Sequence, residues 1–111
     1  MHPMAVLGDP VRRALLARMS EGEQTAGALA SRVGAEFGIS HSAISQHLAT
    51  LRNHGFATAR ARGRERVYRL APEGFTAAEK WLLQYRSFWE TALDDLGREL
   101  DGEGFAPERD L

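Results

Sequence analysis

Apolar residues recur along the chain at helical spacing, broken by short polar and glycine-containing segments. A short apolar stretch, Met4 to Leu7, is enough for a helical turn or two, and then Asp9-Pro10 precede Val11, Ala14, Leu15 and Met19. Asp is a strong N-cap and Pro fits a first turn, so a helix is predicted from there to Glu21-Gly22. Leu29, Val33 and Phe37, with Ala26 and Ala30 beside them, form a second stripe, capped by Thr25 and closed near Gly38. Gly34 lies inside it, as a point where the helix could break. The third helix has both ends written into the sequence. Ser40 is its N-cap, and Ile39 and Ile44 occupy the positions of a hydrophobic staple. Ile44, Leu48 and Leu51 form its buried stripe, and Gly55-Phe56 suit a Schellman ending.

The period then changes to two. Residues 56–61 and 65–70 flank the turn Arg62-Gly63-Arg64 and are predicted to pair as a β-hairpin. Tyr68 and Leu70 are expected to face the core, with Val67 and Arg69 outside. From Pro72 to about Leu100 one long helix is expected. In it Ala78, Leu82, Tyr85, Trp89, Ala92 and Leu96 alternate spacings of four and three, a coiled-coil-like seam widened by Trp81, Phe88 and Leu93. Asp101 onward reads as a frayed acidic tail, residues 101–111.

Two helices joined by a tight turn and followed at once by a hairpin make a winged helix-turn-helix. The expected fold is mainly α with a small β-hairpin wing and a long C-terminal dimerisation helix. One domain is expected over residues 1–100: the helix-turn-helix at about 25–55, the wing at 56–70, the last helix at about 72–100. A length of 111 residues fits a single core without cross-links. No apolar run approaches the ~18 residues of a membrane span, and the start lacks a secretory signal pattern. The expectation is a cytoplasmic protein without a membrane partner. Cysteine is absent, which removes disulfides, thiol catalysis and sulfur-based metal sites.

Charge is uninformative as a total of −1 but not when divided. Residues 1–70 hold ten Arg against five acids, a net of +5, whereas residues 71–111 hold four bases against ten acids, a net of −6. Such asymmetry suits a chain whose first half meets a polyanion. With Ile44 turned to the core at 100° per residue, Ser42, Gln46, Ala49 and Asn53 point outward, flanked by Ser45 and Thr50. This uncharged face of small donors and acceptors has the chemistry of a helix entering a major groove, where Gln can pair two-fold with adenine. The hairpin adds Arg60, Arg62, Arg64, Arg66 and Arg69, opposed within it only by Glu65. Arg at a wing tip reaches phosphates or a minor groove. The candidate DNA-binding residues are therefore His41, Ser42, Ser45, Gln46, Thr50, Arg52, Arg62 and Arg64. Arg12 and Arg13 sit in a first helical turn, where the dipole disfavours cations. They are expected either to be offset by Asp9 and another carboxylate or to meet phosphate.

The segments Leu7-Gly-Asp-Pro-Val-Arg-Arg-Ala-Leu-Leu16, Ile39-Ser-His-Ser-Ala-Ile-Ser-Gln-His-Leu48, Leu51-Arg-Asn-His-Gly-Phe56 and Gly63-Arg-Glu-Arg-Val-Tyr-Arg-Leu70 resemble ArsR-type (arsenic-repressor-like) winged-helix regulators. The similarity runs from about Met4 to Leu100. It implies a homodimeric bacterial repressor that binds an inverted-repeat operator in double-stranded DNA, often that of its own operon. Relatives commonly carry Gln-Pro where this chain has His41-Ser42, so the bases read can differ. The helix before the turn is also about four residues longer, Gly34 to Phe37, close to one turn, which keeps its stripe in phase.

The family's founding members sense metals through thiolates, which this chain lacks. His47 and His54 lie two turns apart, about 10 Å, too far to share one ion within a subunit. His47 is instead expected to be a hydrogen-bonded structural residue, and no metal or other cofactor is expected. No phosphate-cradling glycine loop or oriented nucleophile–base pair is present, so enzymatic activity is not expected. The dimer interface is assigned to Leu82, Tyr85, Phe88, Trp89, Ala92 and Leu96. A small-molecule effector, if the protein has one, is left unassigned. The competing reading is a winged-helix interaction or dimerisation module with no specific DNA target. It would predict an apolar patch on the third helix and an uncharged hairpin, and the sequence has neither.

Overall fold

A computed structural model of the chain describes residues 1–102. The first compact unit, Met1–Ala78, holds α1 (Pro3–Leu7), α2 (Pro10–Ser20), β1 (Gln24–Thr25), α3 (Ala26–Phe37), α4 (His41–Asn53), β2 (Ala57–Arg62), β3 (Glu65–Leu70) and the start of α5 (Pro72–Leu83). The second begins at Glu79 and holds the rest of α5 and α6 (Arg86–Gly102). The acidic tail expected from Asp101 lies, beyond 102, outside the described residues.

The predicted caps are present as hydrogen bonds. Asp9 Oδ1 accepts from the Val11 and Arg12 amides at 2.8 and 3.2 Å. Thr25 Oγ1 accepts from Ala28 N at 3.1 Å, and Ser40 Oγ from Ala43 N at 3.1 Å. α4 ends in a Schellman motif, with Phe56 N donating to Leu51 O at 2.9 Å and Gly55 N to Arg52 O at 3.3 Å. Gly55 stands at φ 77°, a conformation that a Cβ would strain. α3 does not break at Gly34. That residue is buried, and its lack of a Cβ lets the turn close, because Ile39 O lies 3.2 Å from where the Cβ would be. The core of this unit gathers Val6, Leu15, Leu29, Val33, Ile44, Leu51, Phe56 and Tyr68 from α1 to α4 and the sheet.

The sheet has three antiparallel strands in the order β1-β3-β2. The two-residue β1 was not expected; it pairs Gln24 with Tyr68 and Thr25 with Val67. β2 and β3 pair from Ala57–Leu70 to Arg62–Glu65, around a turn whose first central residue, Gly63, has φ 64°. Gly at that place suits a tight hairpin turn of type II′. Tyr68 faces the core as predicted, but Val67, expected outside, is 2% exposed. β1 makes β3 the central strand, with Thr25 and Arg60 directly across from Val67. Arg60 on β2 reaches Glu23, beside β1, at 2.7 Å, which carries its aliphatic stem over Val67.

The first turn of α5 fastens the root of the hairpin. Gly74 N donates to Gly55 O at 2.7 Å, and Phe75 meets Phe56 edge-on at 5.0 Å between ring centres. A Cβ on Gly74 would lie 2.5 Å from the Phe56 ring. The single helix expected from Pro72 to Leu100 is built as two. Gln84 N and Tyr85 N donate to Trp81 O and Leu82 O, tightening the backbone to a turn, and the helix restarts with Trp89 N on Tyr85 O. Neither Gly nor Pro marks this interruption.

Candidate nucleic-acid interface

α4 presents the outward face that its spacing implied. His41, Ser42, Ser45, Gln46 and Asn53 are exposed, while Ala49, Thr50 and Arg52 are half-buried. Thr50 Oγ1 donates to Gln46 O at 3.2 Å, so its proton is already used within the helix. His54 lies off this face, its Nδ1 2.9 Å from Thr50 O. The exposed groups carry no formal charge and combine hydroxyl, amide and imidazole, all able to donate and accept.

On the wing the five arginines divide. Arg60 is held by Glu23, outside the hairpin, and Arg62 lies 3.7 Å from Glu65. Arg69 Nε donates to Thr58 Oγ1 at 3.4 Å. Among the described residues neither Arg64 nor Arg66 has an ion pair, and both are exposed. Arg66 pairs with Ala61 and so shares a face with Ala59 and Tyr68, the face that packs on the helices. It lies one pleat beyond the core, toward the tip. Arg62 shares the opposite face with Arg60 and Arg69. Arg66 was not among the sequence-predicted site residues, although placing Tyr68 inward already fixed its side.

Among the described residues Arg12 and Arg13 meet no second carboxylate; Arg12 is half-buried and Arg13 is exposed. Arg12 Nε donates to Val6 O at 2.7 Å and Nη2 to Ala5 O at 3.0 Å, while Arg13 Nη1 donates to Leu7 O at 2.9 Å. The C-terminal carbonyls of α1 thus supply the negative end of a dipole to cations at the start of α2. Arg12 Nη1 also lies 3.9 Å from Asp9 and 3.3 Å from His47 Nδ1, so His47 is hydrogen-bonded as expected. Burial acts to raise the Asp9 carboxyl. The Arg12 and Val11 amides, joined by the charge of Arg12, outweigh it and hold the group below its ordinary value.

In the second unit Leu82, Tyr85, Phe88, Trp89, Ala92 and Leu96 are all exposed, as is Leu93. Phe88 is the extreme, at 75%. Trp81 and Tyr85 contact each other, with ring centres 5.2 Å apart. Among the described residues no cluster of three or more His, Asp or Glu is placed to hold a metal ion. No helix there is long and apolar enough to cross a membrane.

A capped, uncharged, polar helix behind a tight turn, with a cationic hairpin after it, defines a winged helix-turn-helix of the DNA-binding kind. A helix-turn-helix domain model matches residues 7–60. The chain is 35% identical over 98 residues to the HTH-type transcriptional regulator Rv2034 of Mycobacterium tuberculosis, covering 88% of this chain and 85% of that protein. A solved structure described as a "possible transcriptional regulator for arsenical resistance" is 38% identical, with a TM-score of 0.68 over 97% of this chain and 99% of the other. The ArsR family transcriptional regulator RHA00566 is 31% identical, also with a TM-score of 0.68, over 80% and 88%. The chain belongs to the ArsR family of winged helix-turn-helix transcriptional regulators.

Proposed function

We propose that this regulator is a dimeric repressor that binds an inverted-repeat operator and controls its own operon. The observation that carries the reading is the exposed uncharged face of α4 beside unpaired wing arginines, since groove readout needs the first and phosphate affinity the second. In this reading His41, Ser42, Ser45 and Gln46 meet base edges, Thr50 and Arg52 border the contact, and the wing arginines, Arg62, Arg64 and also Arg66, meet phosphates or the minor groove. Two copies join through Leu82, Tyr85, Phe88, Trp89, Ala92 and Leu96, whose exposure in a single chain leaves a broad apolar face without cover. Two-fold symmetry then requires half-sites about one helical turn, or a multiple, apart.

The test is selection of duplexes from a random-sequence pool, with the DNA upstream of the protein's own gene as a second probe. An inverted repeat should emerge and should also occur upstream. Gln46→Ala should weaken binding by about 1–3 kcal/mol and relax preference at one base pair per half-site. Unchanged operator binding by both Gln46→Ala and Ser45→Ala would remove this face from the interface.

A further inference from the structure

α4 is held against the rest of its unit by two unlike kinds of contact. Ile44, Leu48 and Leu51 bury their side chains in the core, an attraction that is strong but non-directional. Among the described residues, one side-chain hydrogen bond ties α4 to a separate element: Arg12 Nη1 to His47 Nδ1, 3.3 Å. The other side-chain bonds of α4, from the Ser40 cap and between Thr50 and Gln46 O, are local to the helix.

The Arg12 end of this bond is rigid. Its side chain is 11% exposed, and the same guanidinium donates to Val6 O and Ala5 O and faces Asp9. The planar fork allows little freedom once two of its nitrogens are committed to the end of α1. A guanidinium only donates, so His47 accepts through Nδ1 and carries its ring proton on Nε2. His47 directly follows Gln46 on the helix, about 100° round from it. Whatever fixes the rotation of His47 about the α4 axis therefore fixes the direction in which Gln46 and Ser45 point. Groove readout tolerates only about 10–20° of error in such a direction.

We propose that the Arg12–His47 hydrogen bond is a positioning device for sequence readout. It locks the rotation of α4 against the corner between α1 and α2, so discrimination between DNA sequences depends on a pair that touches no base. The inference rests on the DNA-binding reading above and adds to it what orients the face.

The experiment compares wild type, His47→Phe and His47→Asn on two duplexes, the one recovered by wild type from the random pool and a scrambled version. Phe keeps a ring but offers no acceptor. Asn places its Oδ1 where Nδ1 stands. Folding is checked by thermal unfolding, and the salt dependence of affinity is recorded throughout. His47→Phe should bind the selected duplex roughly tenfold more weakly, the worth of one charge-assisted hydrogen bond. Its affinity for the scrambled duplex and its salt slope should stay at the wild-type level, and His47→Asn should restore most of the loss.

Wild-type discrimination by His47→Phe would overturn the inference. So would a His47→Asn protein as impaired as His47→Phe, or a reduced salt slope, which would make the ring a phosphate contact. If His47→Phe does not fold, His47→Asn decides: near-wild-type discrimination supports the device, and a folded protein with a tenfold loss overturns it. The variants are read only against a wild type that prefers its selected duplex. A wild type that prefers none overturns the DNA-binding reading, a different failure.

Discussion

Asp9 shows how much one side chain can hold at a helix start. It caps two amides of α2 and faces the guanidinium that closes α1, while about a third of the side chain stays open to water. Its carboxyl is held below the ordinary value of 3.8, so the folded state binds its proton less readily than the unfolded chain. The stabilisation is complete above the ordinary value and is lost as pH falls through the lower folded one. Asp9→Ala should cost about 1 kcal/mol at neutral pH, the usual worth of such a cap. Urea unfolding across pH should show the gap to wild type closing below about pH 4. A gap that is absent at neutral pH, or that widens in acid, would contradict this role.

Among the elements, the wing departs furthest from a simple count of its charges. Glu65 and Glu23 lie against Arg62 and Arg60, and both of those arginines share the face turned away from the helices. Arg66 and Arg64 have no acidic partner among the described residues, and Arg66 stands on the helix-facing side. Exposed pairs are weak, yet they still share a charge that would otherwise go to phosphate. Each phosphate contact contributes about −0.9 to the slope of log affinity against log salt. Arg66→Ala should therefore lower the steepness by about one, and Arg62→Ala by clearly less. The reverse ranking would return the contact to Arg62 and place the other face of the sheet against DNA.

For the whole molecule the central question is what covers the apolar face of the second unit. Trp89 is 41% exposed, between Tyr85 and Leu96 on the same stripe, and large aromatics gather at the cores of interfaces. A charge placed there would be buried without a partner in a symmetric dimer. Trp89→Glu should sediment as a monomer and lose operator binding, since one half-site alone gives up the second set of contacts. Persistence of a dimer would move the interface elsewhere. The acidic balance of this half, a net of −6 over residues 71–111, keeps it from competing for the polyanion that the basic half would bind.

The local signals were legible in the chain itself. Asp9, Thr25 and Ser40 as caps, Gly55-Phe56 as a helix ending and Gly63 as a hairpin turn act within five residues of their partners, so reading neighbours suffices. The α4 face followed from the same source, because helical periodicity alone decides which side Ile44 leaves free. Other features depended on residues distant in sequence. Arg12 finds His47 35 positions away, and Arg60 finds Glu23 37 positions away. Val67 lies between Thr25 of β1, a strand too short to announce itself, and Arg60 of β2. The turn at Gln84-Tyr85 carries no Gly or Pro to mark it. Sequence determined the helices of the first unit, their caps, the hairpin and which face of α4 is polar, since those follow from backbone sterics and spacing. Tertiary structure alone decided the partners of Arg12 and Arg60, because a side chain's distant partner is set by the elements that packing brings beside it.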